Sequence, residues 1–420
     1  MKSAPDAQPA REANINAIVS YFESGITPCK KALGIELEHI IVDATTNEPV
    51  SYSQDHGIEW LLEQLKPDYT DTICDAQGDI LGLVRPEQAI TLEPAAQVEI
   101  SAGPFNELSE AEAQLNDFES RLSSILEAQG LLSLTLGYHP TARALDLELI
   151  PKRRYKFMNL YLSEVSKYGP YMMRGSASTQ ISIDYSSVED CLRKLRLAFA
   201  LVPLFSLICD NSPIFEGAPR THELIRTKIW QECDPDRCGL IPGVMDPDFN
   251  LRSYAEYVLD TPAILIPCTN SEWCYSEKTF GEIYAETPME TSDVEHALSM
   301  LFNDVRLKTY IEIRPADAMP VPCVLAYAAL IKGLFYSEES LSALETLFAH
   351  VDAAAIEDAK NALMQDGYCA FVYGRPAYTY VDLIHTLAHT ALDEKDRAYL
   401  KPLSQLILKR STLANKFDRN

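Results

Sequence analysis

The stretch Leu33–Asp43, LGIELEHIIVD, has the composition of a β-strand, yet it carries two carboxylates, Glu36 and Glu38. Residues i and i+2 of a strand point to the same face, so the two carboxylates lie side by side. On a solvent-facing surface this repulsion costs little, whereas in the lining of a site the pair needs a cation. The stretch therefore predicts a sheet whose polar face meets either water or a bound cation.

Three further stretches repeat this alternation of polar and apolar residues. Their polar positions are Gln97, Glu99 and Ser101 (with Glu93 just before), then Ser178, Gln180, Ser182 and Asp184, and finally Glu312 and Arg314. For any one strand, the alternative is an antiparallel sheet with one wet face. Such a face usually mixes lysine, threonine and glutamate, whereas here carboxylates dominate and lysine is nearly absent. Together the strands predict a concave sheet that binds Mg²⁺ or Mn²⁺ through oxygen ligands.

A site that holds several such ions suggests ATP as a substrate. The sequence contains neither G-x-x-x-x-G-K-[ST] nor G-x-G-x-x-G, the two glycine-rich phosphate-binding patterns. Any nucleotide is therefore expected to be held by the metal cluster and by scattered side chains.

Arginines collect in two other stretches of this acidic chain, whose net charge is −25. They are Arg220, Arg226 and Arg237, near His222 and Trp230, and Arg153 and Arg154. Arginine binds carboxylates and phosphates with two parallel hydrogen bonds, so this grouping predicts recognition of an anionic substrate. The alternative for each single arginine is an ordinary surface salt bridge.

Charge and composition narrow the classes of partner. A chain of 420 residues suffices for one large domain or two ordinary ones. The negative net charge disfavours nucleic acid and anionic membranes, and no apolar run reaches the length of a membrane span. The N-terminus lacks a secretory pattern, so a cytoplasmic location is expected. The ten cysteines lack zinc-type spacing and are interpreted as free thiols, with disulfides or metal binding as the alternatives.

Local patterns predict a mixture of helices and antiparallel strands, and hence an α+β fold. The helices are expected over residues 15–30, 55–66, 107–129, 153–166 and 188–211. The strands are expected over 33–43, 132–138, 173–185 and 305–315, with a strand meander up to Ser101. From about 322 onward the pattern is almost wholly helical. His385 and His389 have zinc-compatible spacing but lack the Glu of H-E-x-x-H, which favours ordinary helix histidines.

Eight motifs then occur in one order over about 300 residues. They read GIELE, LEPAAQVEIS, KRRYKFM, STQISIDYSS, NSPIFEG, RTKIWQECDPDR, YAEYVLDTP and VRLKTYIEIRPAD. The series resembles the plant-type and proteobacterial glutamate–cysteine ligases, the GCS2 group of carboxylate–amine ligases. The resemblance covers residues from about 30 to about 335.

The resemblance implies a glutamine-synthetase-like fold, in which a curved antiparallel sheet flanked by helices forms one wall of a funnel-shaped site. It implies a catalytic domain over 31–335, a lead and helix over 1–30, and a helical part over 336–420 packed on the same domain. The implied activity joins the γ-carboxylate of glutamate to the amine of cysteine, using ATP and Mg²⁺ through a γ-glutamyl phosphate. This is the first step of glutathione-type thiol biosynthesis.

The resemblance also implies roles for single residues. Glu36, Glu38, Glu99 and Glu312 match metal ligands, Arg154 and Arg226 match glutamate-carboxylate positions, and Arg314 would face the transferring phosphoryl group. Gln180 and Trp230 are also expected to bind substrate.

The chain departs from the family's glycine-rich patterns at LEPAAQVE, RGSASTQIS and RPADAMP. Acceptor choice is therefore expected to depend on Ser176–Thr179 and Pro315–Met319. Two other functions stay open, a γ-glutamyl ligase with another amine acceptor and a catalytically silent relative. The protein is expected to be a monomer or a homodimer.

Overall fold

The computed structural model describes residues 7–28, 31–75, 77–268 and 273–417. The strands among them are β1 (Leu33–Asp43), β2 (Asp71–Cys74), β3 (Ile80–Arg85), β4 (Gln88–Leu92), β5 (Val98–Phe105), β6 (Leu131–Leu134), β7 (Ser178–Ile183), β8 (Ile214–Phe215), β9 (Ala218–Pro219), β10 (Cys238–Gly239), β11 (Pro262–Pro267), β12 (Trp273–Thr279), β13 (Phe302–Asn303), β14 (Val305–Leu307), β15 (Ile311–Asp317), β16 (Phe371–Val372) and β17 (Arg375–Pro376).

The helices in the same residues are α1 (Ala7–Glu23), α2 (Ile58–Leu65), α3 (Leu108–Glu127), α4 (Arg153–Val165), α5 (Val188–Ile208), α6 (Ile225–Gln231), α7 (Leu251–Asp260), α8 (Phe280–Ile283), α9 (Thr291–Ser299), α10 (Val321–Phe335), α11 (Glu338–Phe348), α12 (Ala353–Asp366), α13 (Ala377–Ala391), α14 (Glu394–Tyr399), α15 (Lys401–Leu408) and α16 (Ala414–Phe417).

A nine-stranded sheet organises the structure around β1. Its order is β14-β15-β7-β1-β5-β4-β3-β2, and β6 pairs with the second half of β1. Neighbouring strands in this sheet are antiparallel. Helices α3, α5 and α10 contact the sheet. The predicted α+β class is therefore confirmed.

The register of the central strands sets which side chains share a face. Glu36 lies opposite Ser101 of β5 and opposite Gln180 of β7, and Glu38 lies opposite Glu99. Ile35 and Leu37 alternate with these residues and are buried on the other face. One face of β1 thus belongs to the apolar core, and the other presents carboxylates.

Several predicted boundaries were wrong. The first helix ends at Glu23, and the chain then pairs with Tyr185 at Ile26, whereas the last two predicted positions, 29 and 30, lie outside the described residues. Gly25 allows this course, because a Cβ there would come within 2.3 Å of the Thr309 carbonyl. The predicted strand over 173–185 begins at Ser178, after a π-helical turn over Tyr171–Gly175. The predicted strand over 305–315 is a hairpin of β14 and β15. The bounds of β1 were predicted to the residue.

The region after residue 320 is mostly helical, as predicted, and α10 is buried along nearly its whole length. In the described part of the chain, no single helix has both the length and the apolar character to cross a membrane. The pair α10 and α11 passes that test together, by length and composition only, with a bend of 85° between them. His385 and His389 lie on α13, and His385 Nε2 is 2.7 Å from Ser404 Oγ.

The cysteines divide between free thiols and a disulfide. Cys268 and Cys274 form a disulfide between β11 and β12, so the prediction of free thiols was wrong for this pair. The two strands form a hairpin that brings the residues to a Cα–Cα distance of 5.8 Å, within bonding range. Cys191, Cys209, Cys233 and Cys238 are buried free thiols, as predicted.

Candidate active site

The carboxylate face of the sheet opens into a cavity of about 300 Å³. Its walls come from β1, β5, β7, the start of α4, the π-helical turn, α6 and the β14–β15 hairpin. The side chains that meet there include Glu36, Glu38, Glu93, Glu99, Lys152, Arg154, Gln180, Arg226, Trp230, Arg306, Lys308 and Arg314. Eight of the nine predicted site residues therefore line one cavity, and Glu312 is the exception.

Hydroxyl and backbone donors fix two of the carboxylates. Glu38 accepts hydrogen bonds from the Ser178 backbone N–H at 2.9 Å and from Ser178 Oγ at 2.6 Å. Glu99 Oε1 accepts from Thr91 Oγ1 at 2.7 Å and from Ser101 Oγ at 3.3 Å. The two side chains stand directly opposite each other on β1 and β5, an arrangement that is unfavourable for like charges.

Burial and mutual repulsion disfavour the charged forms of these carboxylates. Burial, together with the charges of Glu99 and Glu312, raises the pKa of Glu36 to about 8. Burial and the charges of Glu93 and Glu99 raise the pKa of Glu38 to about 8. The pKa of Glu99 rises to about 7, again through burial first and the charge of Glu93 second. The face therefore has a strong preference for protons or other cations.

Glu312 differs from the other predicted metal ligands. It is fully buried, and its carboxylate pairs with Arg306 and Arg314 at 2.8 Å and with Lys308 at 3.0 Å. Although burial acts in the opposite direction, these three cations hold the pKa of Glu312 well below its usual range. In this structure Glu312 anchors the cations of the hairpin and does not line the cavity, so its role as a metal ligand stays a prediction.

The cations expected to bind substrate are held in defined positions. Arg226 is 4% exposed, and its Nη1 donates to the Ala316 carbonyl at 2.8 Å and lies 3.5 Å from Asp317 Oδ1. Arg154 Nη2 donates to the Ser299 carbonyl at 3.0 Å and to Ser299 Oγ at 2.9 Å. Arg314 Nη1 donates to Gln180 Oε1, and its guanidinium lies 6.0 Å from the centre of the Trp230 ring.

Helix α6 presents Arg226 and Trp230 to the cavity from one side, because the two residues are four positions apart. Within the described residues, Arg226 Nε and Trp230 Nε1 are buried and have no hydrogen-bond partner. A buried donor without a partner is costly, so these two groups are suited to a ligand that supplies acceptors.

The other arginines of the predicted cluster have structural roles. Arg220 pairs with Asp210 at 2.6 Å, and Arg237 is fully buried and pairs with Asp234 at 2.6 Å. Arg153 lies 5.7 Å from the ring of Phe157 and, unlike Arg154, does not line the cavity. The prediction of one substrate-binding cluster was therefore wrong for these three residues.

Only part of the two segments predicted to choose the acceptor lines the cavity. Ser176 and Ser178 line the cavity, but Thr179 is fully buried. Pro315–Met319 lies behind the wall, and its carbonyls at Pro315 and Ala316 accept hydrogen bonds from Arg226. The register of β15 against β7 shifts between Ile313 and Ala316, so the residues after the shift do not continue the alternation of the strand.

Four charged residues of the cavity were missing from the predicted site. They are Glu93, Lys152, Arg306 and Lys308. Arg306 and Lys308 follow the same i, i+2 alternation as the glutamates, so the period of the strand could have identified them. Glu93 precedes Pro94 in the turn between β4 and β5, where no periodic pattern applies.

The donor set fits hard divalent cations, although the structure does not present an assembled metal site. Across residues 7–28, 31–75, 77–268 and 273–417, no group of three Cys, His, Asp or Glu side chains is arranged to hold a metal ion. The carboxylates that line the cavity nevertheless supply the oxygen ligands that Mg²⁺ prefers, and burial and mutual repulsion, which raise their pKa values, would both be offset by a bound cation. By the chemistry of its donors, the face fits Mg²⁺.

These pKa values predict how the stability of the metal-free protein depends on pH. A carboxyl group whose pKa is higher in the folded state binds more protons than in the unfolded state, so stability falls as pH rises through the folded pKa. The buried His139 and His296, whose pKa values burial lowers to about 4, act in the opposite direction only below about pH 6.5. With a chelator present, we therefore expect the melting temperature to decrease as the pH rises from about 6.5 to about 8.5.

The matched variant for this measurement is the Glu36→Gln/Glu38→Gln double substitution, which removes two of the titrating groups. We expect its melting temperature to depend less steeply on pH over the same range. Equal slopes for the two proteins would contradict the assigned pKa shifts.

Comparisons with known proteins identify the family of the chain. Residues 32–417 match the sequence model of the family described as glutamate-cysteine ligase family 2. The chloroplastic glutamate–cysteine ligase of Arabidopsis thaliana is 32% identical over 359 residues, which are 83% of this chain and 68% of that enzyme. Enzyme B of Oryza sativa subsp. japonica is 31% identical over 341 residues, 79% of this chain and 68% of that enzyme.

A solved structure supports the fold independently. The glutamate–cysteine ligase of Francisella tularensis in complex with AMP superposes with a TM-score of 0.60 at 11% identity. The match covers 94% of this chain and 85% of that one. The family match extends over most of the residues described above and includes all the elements that build the cavity. The chain belongs to the glutamate–cysteine ligase family 2.

Proposed function

We propose that the protein is an ATP-dependent ligase that joins the γ-carboxylate of glutamate to the amine of cysteine. One observation supports this most strongly. In a chain of this family, several glutamates and several Arg and Lys side chains line the same cavity. The carboxylates suit the divalent ions that accompany ATP, and the cations suit the carboxylates of an amino acid.

The first chemical step transfers a phosphoryl group. The γ-carboxylate of glutamate attacks the γ-phosphorus of ATP, which forms γ-glutamyl phosphate and releases ADP. Two anions must approach each other, so Arg306, Lys308 and Arg314 are positioned to offset their charge. Arg226 and Arg154 bind the substrate carboxylates, and Trp230 Nε1 supplies an additional donor.

The second step forms the amide bond. The cysteine amine attacks the acyl carbon, a tetrahedral intermediate forms, and inorganic phosphate leaves. The incoming ammonium group must lose a proton before it can attack. Glu93 lines the cavity, and burial raises its pKa. We assign it to the ammonium group of a substrate, as a charge partner and proton acceptor.

Glu36, Glu38 and Glu99 would hold Mg²⁺, or Mn²⁺ in its place. The ion would neutralise the oxygens of the transferring phosphoryl group. Glu312 contributes by holding the three cations of the hairpin in place.

A second cavity gives the nucleoside of ATP a place to bind. It has a volume of about 570 Å³ and meets the first cavity at Glu36. Small and apolar residues such as Gly34, Ala89 and Ala102 line much of it, which suits the face of a purine. With the base in this cavity, the phosphates would extend along the sheet toward Glu36.

The acceptor assay tests the proposal. ATP consumption is measured with glutamate fixed and a panel of amines, and γ-glutamyl products are identified by mass spectrometry. A pocket that accepts a thiol discriminates poorly against a methyl group of similar size. We expect cysteine to be the best acceptor, and 2-aminobutyrate to react within about 10- to 200-fold in kcat/KM.

Other outcomes separate the remaining functions. Product with a different amine, and none with cysteine or 2-aminobutyrate, would identify a γ-glutamyl ligase of another specificity. An absence of glutamate-dependent ATP consumption with every acceptor would contradict the ligase proposal and favour a silent relative. A role in glutathione-type thiol biosynthesis follows from the cysteine product. The cytoplasmic location, the domain limits and the oligomeric state stay predictions.

A further inference from the structure

Helix α12 lies outside the cavity but is bonded to two of the elements that carry its cations. Lys360 is 1% exposed, and its Nζ lies 2.6 Å from Asp304 Oδ2 and 2.7 Å from Glu357 Oε1. The other oxygen of Glu357 accepts a hydrogen bond from Gln231 Nε2 at 2.7 Å. One lysine and one glutamate of α12 thus join Asp304 to Gln231.

The Asp304 branch leads to the β14–β15 hairpin. Asp304 separates β13 from β14, and residues on either side of it, Phe302 and Arg306, line the cavity. Its backbone carbonyl accepts the N–H of Arg314 at 3.0 Å. Lys360 therefore pairs with the side chain of Asp304, and the backbone carbonyl of Asp304 in turn accepts a hydrogen bond from Arg314.

The Gln231 branch leads to α6. Gln231 is the last residue of that helix and follows Trp230 directly. Near the other end of α6, the backbone N–H of Glu223 donates to the carbonyl of Met364, which also belongs to α12. Helix α12 thus holds α6 at both ends, and α6 carries Arg226 and Trp230.

We propose that Lys360 and Glu357 are positioning residues. From helix α12 they hold the cationic side of the cavity, which carries Arg226 and Arg314, in place relative to the carboxylate face. The inference rests on the proposed ligase function. Misplacement of a reacting group by about 1 Å costs about 100-fold in rate, so a tether of this kind has a direct effect on turnover. A buried ion pair is suited to the task because removal of one partner leaves the other charge uncompensated in the protein interior.

The two branches predict different kinetic effects. Lys360→Met releases the hairpin that carries Arg314, so we expect kcat to fall about 10- to 100-fold. Glu357→Ala removes the bond to Gln231 while its side-chain site is already 40% exposed, so the fold is retained. We expect that variant to raise the KM for glutamate by about 3- to 10-fold, the scale of one hydrogen bond, with a smaller change in kcat.

Two further variants separate positioning from simple stabilisation. Asp304→Asn/Lys360→Met removes both charges, so it avoids an unpaired buried charge and keeps the test available if Lys360→Met does not fold. We expect it to fold and to stay slow. Lys332→Met is the matched control, since Lys332 pairs with Asp396 at 2.7 Å among the C-terminal helices, away from the cavity. We expect its kcat and KM values to stay within about twofold.

A readout without turnover keeps this inference distinct from the proposed function. In a Trp60→Phe/Trp273→Phe background, Trp230 is the one remaining tryptophan of the sequence. Because the Arg314 guanidinium lies over its ring, we expect the double variant and Glu357→Ala to change its fluorescence, and Lys332→Met to leave it unchanged. Folded variants with unchanged emission and kinetics would overturn the positioning role. A wild-type protein without ligase activity would overturn the function alone, and the emission would still decide the role of α12.

Discussion

Replacing Glu36 or Glu38 by glutamine is expected to abolish ATP-dependent ligation while the protein stays folded. Each side chain lines the cavity and belongs to the carboxylate face that fits a divalent cation. Loss of one charged ligand should lower kcat/KM by about 1,000-fold or more, the scale on which single charge-stabilising groups act in acyl and phosphoryl transfer. The measurement is γ-glutamyl product formation at saturating Mg²⁺.

The same substitutions should leave the melting temperature unchanged or raise it at about pH 7, because each removes a buried carboxyl group whose ionised form is disfavoured by burial and by neighbouring carboxylates. Glu119→Gln is the matched control. Glu119 lies on α3, on the other side of the sheet, where it bonds to His39 at 2.9 Å and does not line the cavity. Full activity in both the Glu36 and Glu38 variants would contradict the metal assignment.

Replacing Arg226 by alanine is expected to raise the KM for glutamate far more than the KM for ATP. The side chain is almost fully buried in the cavity wall, and its Nε has no partner among the described residues. Loss of a shielded arginine–carboxylate contact costs about 2–4 kcal/mol, which corresponds to about 30- to 1,000-fold in kcat/KM. Steady-state kinetics with each substrate varied in turn measure the effect.

Two controls interpret that result. Arg226→Lys keeps the charge but loses the planar fork, so it should recover only part of the affinity for glutamate. Arg153→Ala removes an arginine of the same sequence cluster that lies outside the cavity, and it should leave the KM for glutamate near the wild-type value. Equal increases in both KM values for Arg226→Ala would indicate a structural role or a role toward ATP.

The sequence alone predicted the carboxylate face, because alternation along a strand depends only on local geometry. Glu36, Glu38 and Glu99 were identified by this period, and the pairing of β1 with β5 brings them together. The motif series likewise identified Arg154, Arg226 and Arg314, because each lies in a short motif whose place in the series matches that of the family it resembles. The strand period uses information within a few residues, and the motif series uses the order of short motifs along the chain.

The tertiary structure decided which of these groups are available to a substrate. Glu312 has the strand period of a ligand, but the antiparallel pairing of β14 with β15 places Arg306 directly opposite it, and the resulting ion pairs hold its carboxylate. Pro315–Met319 was predicted to influence acceptor choice, and after the register shift in β15 it does not line the cavity. Pairing and register are properties of two strands, so one strand's sequence does not contain them.

The widest gap between sequence and structure concerns the C-terminal helices. No local pattern connects Lys360 to Asp304, which precedes it by 56 residues, or Glu357 to Gln231, which precedes it by 126 residues. The sequence determined that residues 353–366 are helical and which residue types they offer. Only packing in three dimensions decided that this helix meets the cationic side of the cavity, because long-range contacts form where several elements bury their apolar faces together.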